Sequence, residues 1–157
     1  LSAAEVTISI SLAAATRSFL IAVISIITFY LIVDLQIKHF FLLLLFTFLT
    51  SFILGNIGII SGLWAEKFDH QATITNFVIV PLSFLSGTFY SIKRLPDFLQ
   101  TISEVNPFFY MIDGFRYCFI GQADGSIQVG IIYLIVLSIL SWLAAYILFK
   151  KGYKIQS

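Results

Sequence analysis

The stretch Phe40-Phe-Leu-Leu-Leu-Leu-Phe-Thr-Phe-Leu-Thr-Ser-Phe-Ile-Leu-Gly-Asn-Ile-Gly-Ile-Ile-Ser-Gly-Leu-Trp-Ala65 contains no charged residue. A helix that crosses hydrocarbon needs about 20 apolar residues at a rise of 1.5 Å each, and this run exceeds that. Its opening, Phe41–Phe46, is continuously apolar, whereas a barrel strand alternates polarity over about 10 residues. In lipid the segment must satisfy its own backbone N–H and C=O groups, which leaves a helix.

Working outward, Ala72–Ile92 and Ile127–Phe149 are also uncharged. Ser18–Val33 is a shorter run inside a helical stretch that opens at Ser2-Ala-Ala-Glu5, the Ser-x-x-Glu form of a capping box. The expected architecture is an all-α membrane protein forming a single transmembrane domain over 1–157. Four transmembrane helices, about 14–33, 40–64, 72–92 and 127–149, are joined by two short amphipathic or re-entrant helices within an external region, 93–126. Arg17 is read as an interfacial anchor whose stem snorkels to the headgroups.

Composition agrees. Of 157 residues, nine are Lys or Arg, eight are Asp or Glu, and 59% are hydrophobic; mean hydropathy is +1.00. A soluble domain has roughly 25% charged residues, and a chain this apolar cannot present a solvated exterior. Disorder is excluded for the same reason. One cysteine, Cys118, supports neither a disulfide framework nor a multi-cysteine metal site, and a net charge of +1 offers no basic field for nucleic acid. The chain starts at Leu1 and its one methionine is Met111, so we read it as the C-terminal part of a longer protein.

Four spans put both ends on one side of the bilayer. Lys150, Lys151 and Lys154 follow the last span, and Arg17 and Lys67 share that side; the positive-inside rule makes it cytoplasmic. Trp64, Tyr90, Tyr146 and Tyr153 fit an aromatic belt.

The external region begins Leu95-Pro96-Asp97, with Phe98, Leu99, Ile102 and Val105 at helical spacing. Asn106-Pro107 breaks that helix, because the residue before proline is pushed out of the α region. A second helix, Phe108–Phe119, ends before Gly121. Asp113 and Arg116, three apart, are expected to pair. The pair of helices either dips into the outer leaflet and returns or lies on the surface with no part in conduction. Its aromatic residues Phe108, Phe109, Tyr110 and Phe115 either stack on a ligand or pack into lipid.

Within the spans, Gly55, Gly58 and Gly62 form a small-residue face suited to close helix approach. Pro81 lies mid-span, where it favours a kink, and Asn76 precedes it. No phosphate-binding Gly-x-x-x-x-Gly-Lys-Ser/Thr loop, His-Glu-x-x-His helix or Gly-x-Ser-x-Gly elbow occurs. An intramembrane enzyme needs ionisable groups converging at one depth, and Asp34, Asp69, Asp97, Asp113 and Asp124 are scattered along the chain.

The run Pro81-Leu-Ser-Phe-Leu-Ser-Gly87-Thr-Phe-Tyr-Ser-Ile, then Leu95-Pro96, then Asn106-Pro107-Phe-Phe-Tyr110-Met-Ile-Asp113-Gly-Phe-Arg116, then Gly121, resembles the signature of ABC-2 type transporter permeases. It is most similar to the bacterial subgroup that includes polysaccharide, lipo-oligosaccharide and drug exporters. The resemblance implies the third to sixth spans of a six-span permease in the bacterial inner membrane, with Ser2–Thr16 near the cytoplasmic coupling segment. It implies a permease homodimer and separate ABC ATPase chains that carry ATP and Mg, so that this chain binds no cofactor and is no enzyme. Pro96, Asn106, Pro107, Tyr110, Asp113 and Arg116 would form the external gate; Gly55, Gly58, Gly62, Pro81 and Gly87 would serve packing or bending. The rival readings are a membrane scaffold subunit and an intramembrane lipid-linked transferase.

Overall fold

The computed structural model describes residues 2–33, 36–65 and 68–150. Asp34, Glu66, Lys67, Lys151, Tyr153 and Lys154 lie outside the described residues. The described residues form helices joined by short connections: α1 (Ala3–Ile32), α2 (Phe40–Trp64), α3 (Phe68–Ile74), a π-helical turn (Thr75–Ile79), α4 (Val80–Phe84), a 3₁₀ turn (Ile92–Arg94), α5 (Asp97–Val105), α6 (Pro107–Ile120) and α7 (Ile127–Lys150).

α1 opens as its sequence requires. The Ser2 hydroxyl accepts the Glu5 N–H at 3.3 Å, and the Glu5 carboxylate accepts the Ser2 N–H at 2.9 Å, which satisfies two of the N–H groups that a helix start leaves unpaired. α1, α2 and α7 are the three helices long and apolar enough to cross a membrane.

α2 is the centre of the bundle, packed by α1, α6 and α7. Leu43, Phe46, Leu49 and Ile53 recur at helical spacing along one face and are buried with Met111, Cys118 and Leu134. Against α1 the join is small and polar. A Cβ on Gly55 would lie 3.0 Å from that of Ala14. The Ser11 hydroxyl lies 2.7 Å from the Asn56 side-chain oxygen and 2.8 Å from the Thr7 carbonyl. Close backbones and interhelical hydrogen bonds hold helices together in lipid, where hydrophobic burial gives no preference for helix over acyl chain. The outward faces of α1 and α7 stay apolar and uncovered, with Leu31 78% and Ile132 64% exposed.

The third uncharged run departs from an uninterrupted span. Its helix ends at Phe84, and 85–91 form a turn. Gly87 has φ +76°, which glycine adopts without Cβ strain. The Ser86 and Thr88 hydroxyls donate to the Ser83 carbonyl and Tyr90 Oη donates to the Phe84 carbonyl, so side chains take up carbonyls that a continuing helix would have used. Within α3–α4 the hydrogen-bond ladder widens just before Pro81, and the Val80 N–H reaches the Thr75 carbonyl. Proline cannot donate to the carbonyl four residues back, and its ring clashes there. A π turn relieves both demands.

Candidate functional site

The residues of 93–126 gather with the end of α4 and the first turns of α2 and α7 at one end of the bundle. Asn106 is the pivot. Its side-chain oxygen caps α6 by accepting the Phe108 N–H at 3.0 Å, and its amide donates to the Leu82 carbonyl at 2.6 Å. One turn earlier on α5, the Ser103 hydroxyl lies 2.7 Å from the Leu85 carbonyl and 2.9 Å from that of Leu99. The buried Asn106 and Ser103 thus serve the terminal carbonyls of α4. Tyr133 of α7 donates to the Val105 carbonyl at 2.7 Å. The α5–α6 corner, with Pro107 as first residue of α6 and Pro96 as the cap of α5, is therefore hydrogen-bonded on both flanks.

Beside α7 the corner lies below the helix end at Ile127, since Tyr133 is about 9 Å along that helix at 1.5 Å per residue. Beside α4 it meets the last turn, since Leu82 is two residues before Phe84. From this depth α6 climbs back. Its top is capped by Gly121 at φ +77°, by the Lys38 and His39 N–H groups on the Cys118 carbonyl at 2.9 and 3.2 Å, and by Lys38 Nζ on the Ile120 carbonyl. A cation suits the negative end of a helix. The His39 and Tyr117 rings stack at 4.7 Å. The α1–α2 connection and the 93–126 region therefore occupy the same end, as the sequence reading requires.

Above the corner sits an ionic knot. Arg116 donates to Asp124 at 2.9 Å, to Asp113 at 3.5 Å and to the Gly87 carbonyl. The Asp124 carboxylate also accepts the Ser91 hydroxyl at 2.8 Å and the Ile92 N–H at 3.1 Å. Asp113 accepts the N–H groups of Asp124 and Gly125 at 2.8 and 2.9 Å. The expected Asp113–Arg116 pair is present, but Asp124 is the nearer partner. The knot ties the 85–92 turn, α6 and the loop before α7 into one unit. Beside it opens a cleft of about 610 Å³ lined by Phe89, Lys93, Gln122, Asp124 and Arg116 among others.

The aromatic residues of α6 mostly face protein. Phe109 is buried, and the Tyr110 ring packs tilted against that of Tyr133, centroids 4.6 Å apart, with Gly130 of α7 making room for it. Burial, and then the Glu104 carboxylate, push the Tyr110 phenol above its ordinary value. Burial pushes the Cys118 thiol up to about 11.

Of the other residues singled out, Gly55 packs on α1 and Gly87 turns the chain under Arg116, while a Cβ at Gly58 or Gly62 would meet nothing within 4 Å among the described residues. Asn76 lies exposed in the π turn. Sequence reasoning missed Asp124, Ser103, Tyr133, Lys38 and Gly114. A Cβ on Gly114 would run into the ring of the buried Phe46. A glycine inside a helix costs about 1 kcal/mol against alanine, so its presence mid-α6 was a readable sign of close packing.

A family model described as ABC-2 type transporter matches residues 1–120. The inner membrane transport permease YadH of Escherichia coli (strain K12) is 34% identical over 125 residues, covering 80% of this chain and 49% of that protein. Nodulation protein J of Rhizobium leguminosarum bv. viciae is 28% identical over 92 residues, covering 56% of this chain and 36% of that protein. Nodulation protein J of Sinorhizobium fredii (strain NBRC 101917 / NGR234) is 24% identical over 92 residues, with 59% and 35% covered. The chain spans about half the length of the YadH relative, and less of the other two proteins. No solved structure matches it significantly. With most of its length matched by the family model, this chain belongs to the ABC-2 type transporter family.

Proposed function

We propose that this chain is part of the membrane permease of an ATP-driven exporter in the bacterial inner membrane. In this reading α1, α2, the α3–α4 segment and α7 are four membrane passes, with both ends of the chain cytoplasmic. α5 and α6 form a re-entrant hairpin at the external mouth. Two permease copies frame the path for a polysaccharide, glycolipid or drug-like substrate, with Gly58 and Gly62 free to receive a further helix. Separate ABC ATPase subunits hold ATP and Mg and drive the cycle.

The observation that carries this reading is the α5–α6 corner. Non-spanning backbone at membrane depth is tolerated only where protein satisfies it or where it lines a water-filled cavity. Asn106, Ser103 and Tyr133 provide that satisfaction from α5, α6 and α7. A corner clamped to the end of α4, above a π turn and Pro81, links the external mouth to a helix that runs toward the opposite face.

The transferase reading loses its main attraction here. Asp113 and Asp124 do converge, but both carboxylates are occupied by Arg116 and by backbone N–H groups, which leaves neither free to act as a general acid or base. The scaffold reading is tested by partners. Purification of the protein in mild detergent, with mass spectrometry of what accompanies it, should recover a stoichiometric phosphate-loop ATPase. A preparation free of any ATPase after cross-linking in membranes would refute the export reading.

A further inference from the structure

Glu104 is the penultimate residue of α5, one position before the carbonyl that Tyr133 holds. It is exposed and makes no hydrogen bond or ion pair among the described residues. The same anchoring that fixes the corner fixes its depth, since the neighbouring Val105 carbonyl is tied to Tyr133 and Asn106 is tied to Leu82. Along α7 the Tyr133 anchor lies about 9 Å inside the helix end at Ile127, within an apolar stretch, while the Leu82 anchor lies in the last turn of α4, two residues before its end at Phe84. A carboxylate at such depth is costly against lipid, and ionisable groups there face a bundle interior or a water-filled cavity. Lys and Arg have stems long enough to snorkel to the headgroups, whereas Glu is short.

α5 is two-faced in a way that fits. Ser103 turns inward and Leu99 is half-buried, while Asp97, Thr101 and Glu104 are exposed along one side, flanked by the exposed Phe98, Ile102 and Val105. The Thr101 hydroxyl donates to the Asp97 carbonyl at 3.1 Å, so the acceptors on this face are the Glu104 carboxylate at the anchored end of α5 and the exposed Asp97 carboxylate at its start.

We infer that the Thr101–Glu104 face of α5 lines an aqueous path through the outer half of the membrane, and that Glu104 draws cationic groups into it. The inference deepens the export reading by naming the charge class that the path favours, an ammonium-bearing or otherwise cationic moiety of the substrate.

The test uses the protein in membrane vesicles with Cys118→Ala as background, a single cysteine at Thr101→Cys, and Ile132→Cys on the exposed face of α7 as the lipid-facing reference. The cationic thiol reagent MTSET and the anionic MTSES are applied from either side. Thr101→Cys should react with both reagents, and Ile132→Cys with neither. Relative to a free thiol, the cationic reagent should be favoured on the order of five- to tenfold, the effect of a carboxylate one helical turn away in water-like surroundings. Glu104→Gln should lower the ratio, and Asp97→Asn with Glu104→Gln should return it to that of the free thiol. Reaction of Thr101→Cys only with lipid-permeant N-ethylmaleimide would overturn the inference, as would a charge preference unaltered by Glu104→Gln or equal labelling of Ile132→Cys. Labelling requires neither ATP nor an ATPase. Absence of a partner ATPase would therefore sink the export reading and leave this result standing, and the reverse also holds.

Discussion

Arg116 lies 2.9 Å from Asp124 and 3.5 Å from Asp113, so the arginine's main partner is eight residues on, across the loop, and not three residues back on its own helix. Asp113 is spent instead on two backbone N–H groups of that loop.

A double-mutant cycle should report this order. The side chains of Arg116 and Asp124 are only 21% and 13% exposed, and contacting pairs couple by about 0.5–3 kcal/mol. Thermal unfolding in detergent should give the upper part of that range for Arg116/Asp124 and the lower part for Arg116/Asp113. Exchanging the charges of Asp113 and Arg116 should not restore stability, because an arginine at 113 cannot accept the Asp124 and Gly125 N–H groups. Recovery on exchange would show that the i,i+3 pair dominates.

Gly114→Ala should destabilise the bundle by about 1–3 kcal/mol, the usual cost of overpacking, since the new methyl meets the Phe46 ring. Phe46→Leu, destabilising by itself, should cost less when combined with Gly114→Ala. Additive losses in chemical unfolding would place the strain elsewhere.

Asn106→Ala removes both the α6 cap and the donor to the Leu82 carbonyl, whereas Asn106→Ser retains a capping oxygen. Losing a cap costs about 1 kcal/mol. Asn106→Ser should therefore be the milder variant, and hydrogen exchange at Phe108 should accelerate in Asn106→Ala and less in Asn106→Ser. Equal exchange in both would argue against the cap.

Cys118 reacts through its thiolate, and burial pushes its thiol up to about 11. Near neutral pH the thiolate fraction is therefore minute and grows about tenfold per pH unit until the pKa is approached. Alkylation of the folded protein should be far slower than that of a free thiol at pH 7 and should rise continuously towards pH 11. A labelling rate that levels off near pH 8.5 would contradict the burial.

Pro81→Ala supplies the missing N–H and removes the ring clash, so the π turn at Thr75–Ile79 should relax to an α-helix. The residues on its N-terminal side, Phe68–Ile74, would then rotate relative to α4. On the proposed export function, expression should stay normal and transport-coupled ATP hydrolysis should fall; unchanged coupling would make the π turn incidental.

Much of this was legible along the chain because the underlying rules are local. Charge-free length against bilayer thickness picked out α1, α2 and α7. The Ser2/Glu5 box, the Asn106-Pro107 break and the Gly121 stop marked helix ends through steric and hydrogen-bonding demands that act within a few residues. The third run misled as to length, because its interruption depends on where Ser86, Thr88 and Tyr90 send their hydroxyls.

By itself, then, the sequence determined a helical membrane chain, its main helices and the two short ones, since apolar run length and backbone satisfaction in lipid need no tertiary knowledge. Only the tertiary structure decided that Arg116 answers to Asp124, that Ser103 and Asn106 serve the carbonyls of α4, and that Gly114 yields to Phe46. It also settled how far the α5–α6 corner descends beside α7, which places Glu104. These relations join residues from 8 to 68 positions apart, and their partners are set by how the helices pack. No periodicity or short motif encodes a distance across a bundle.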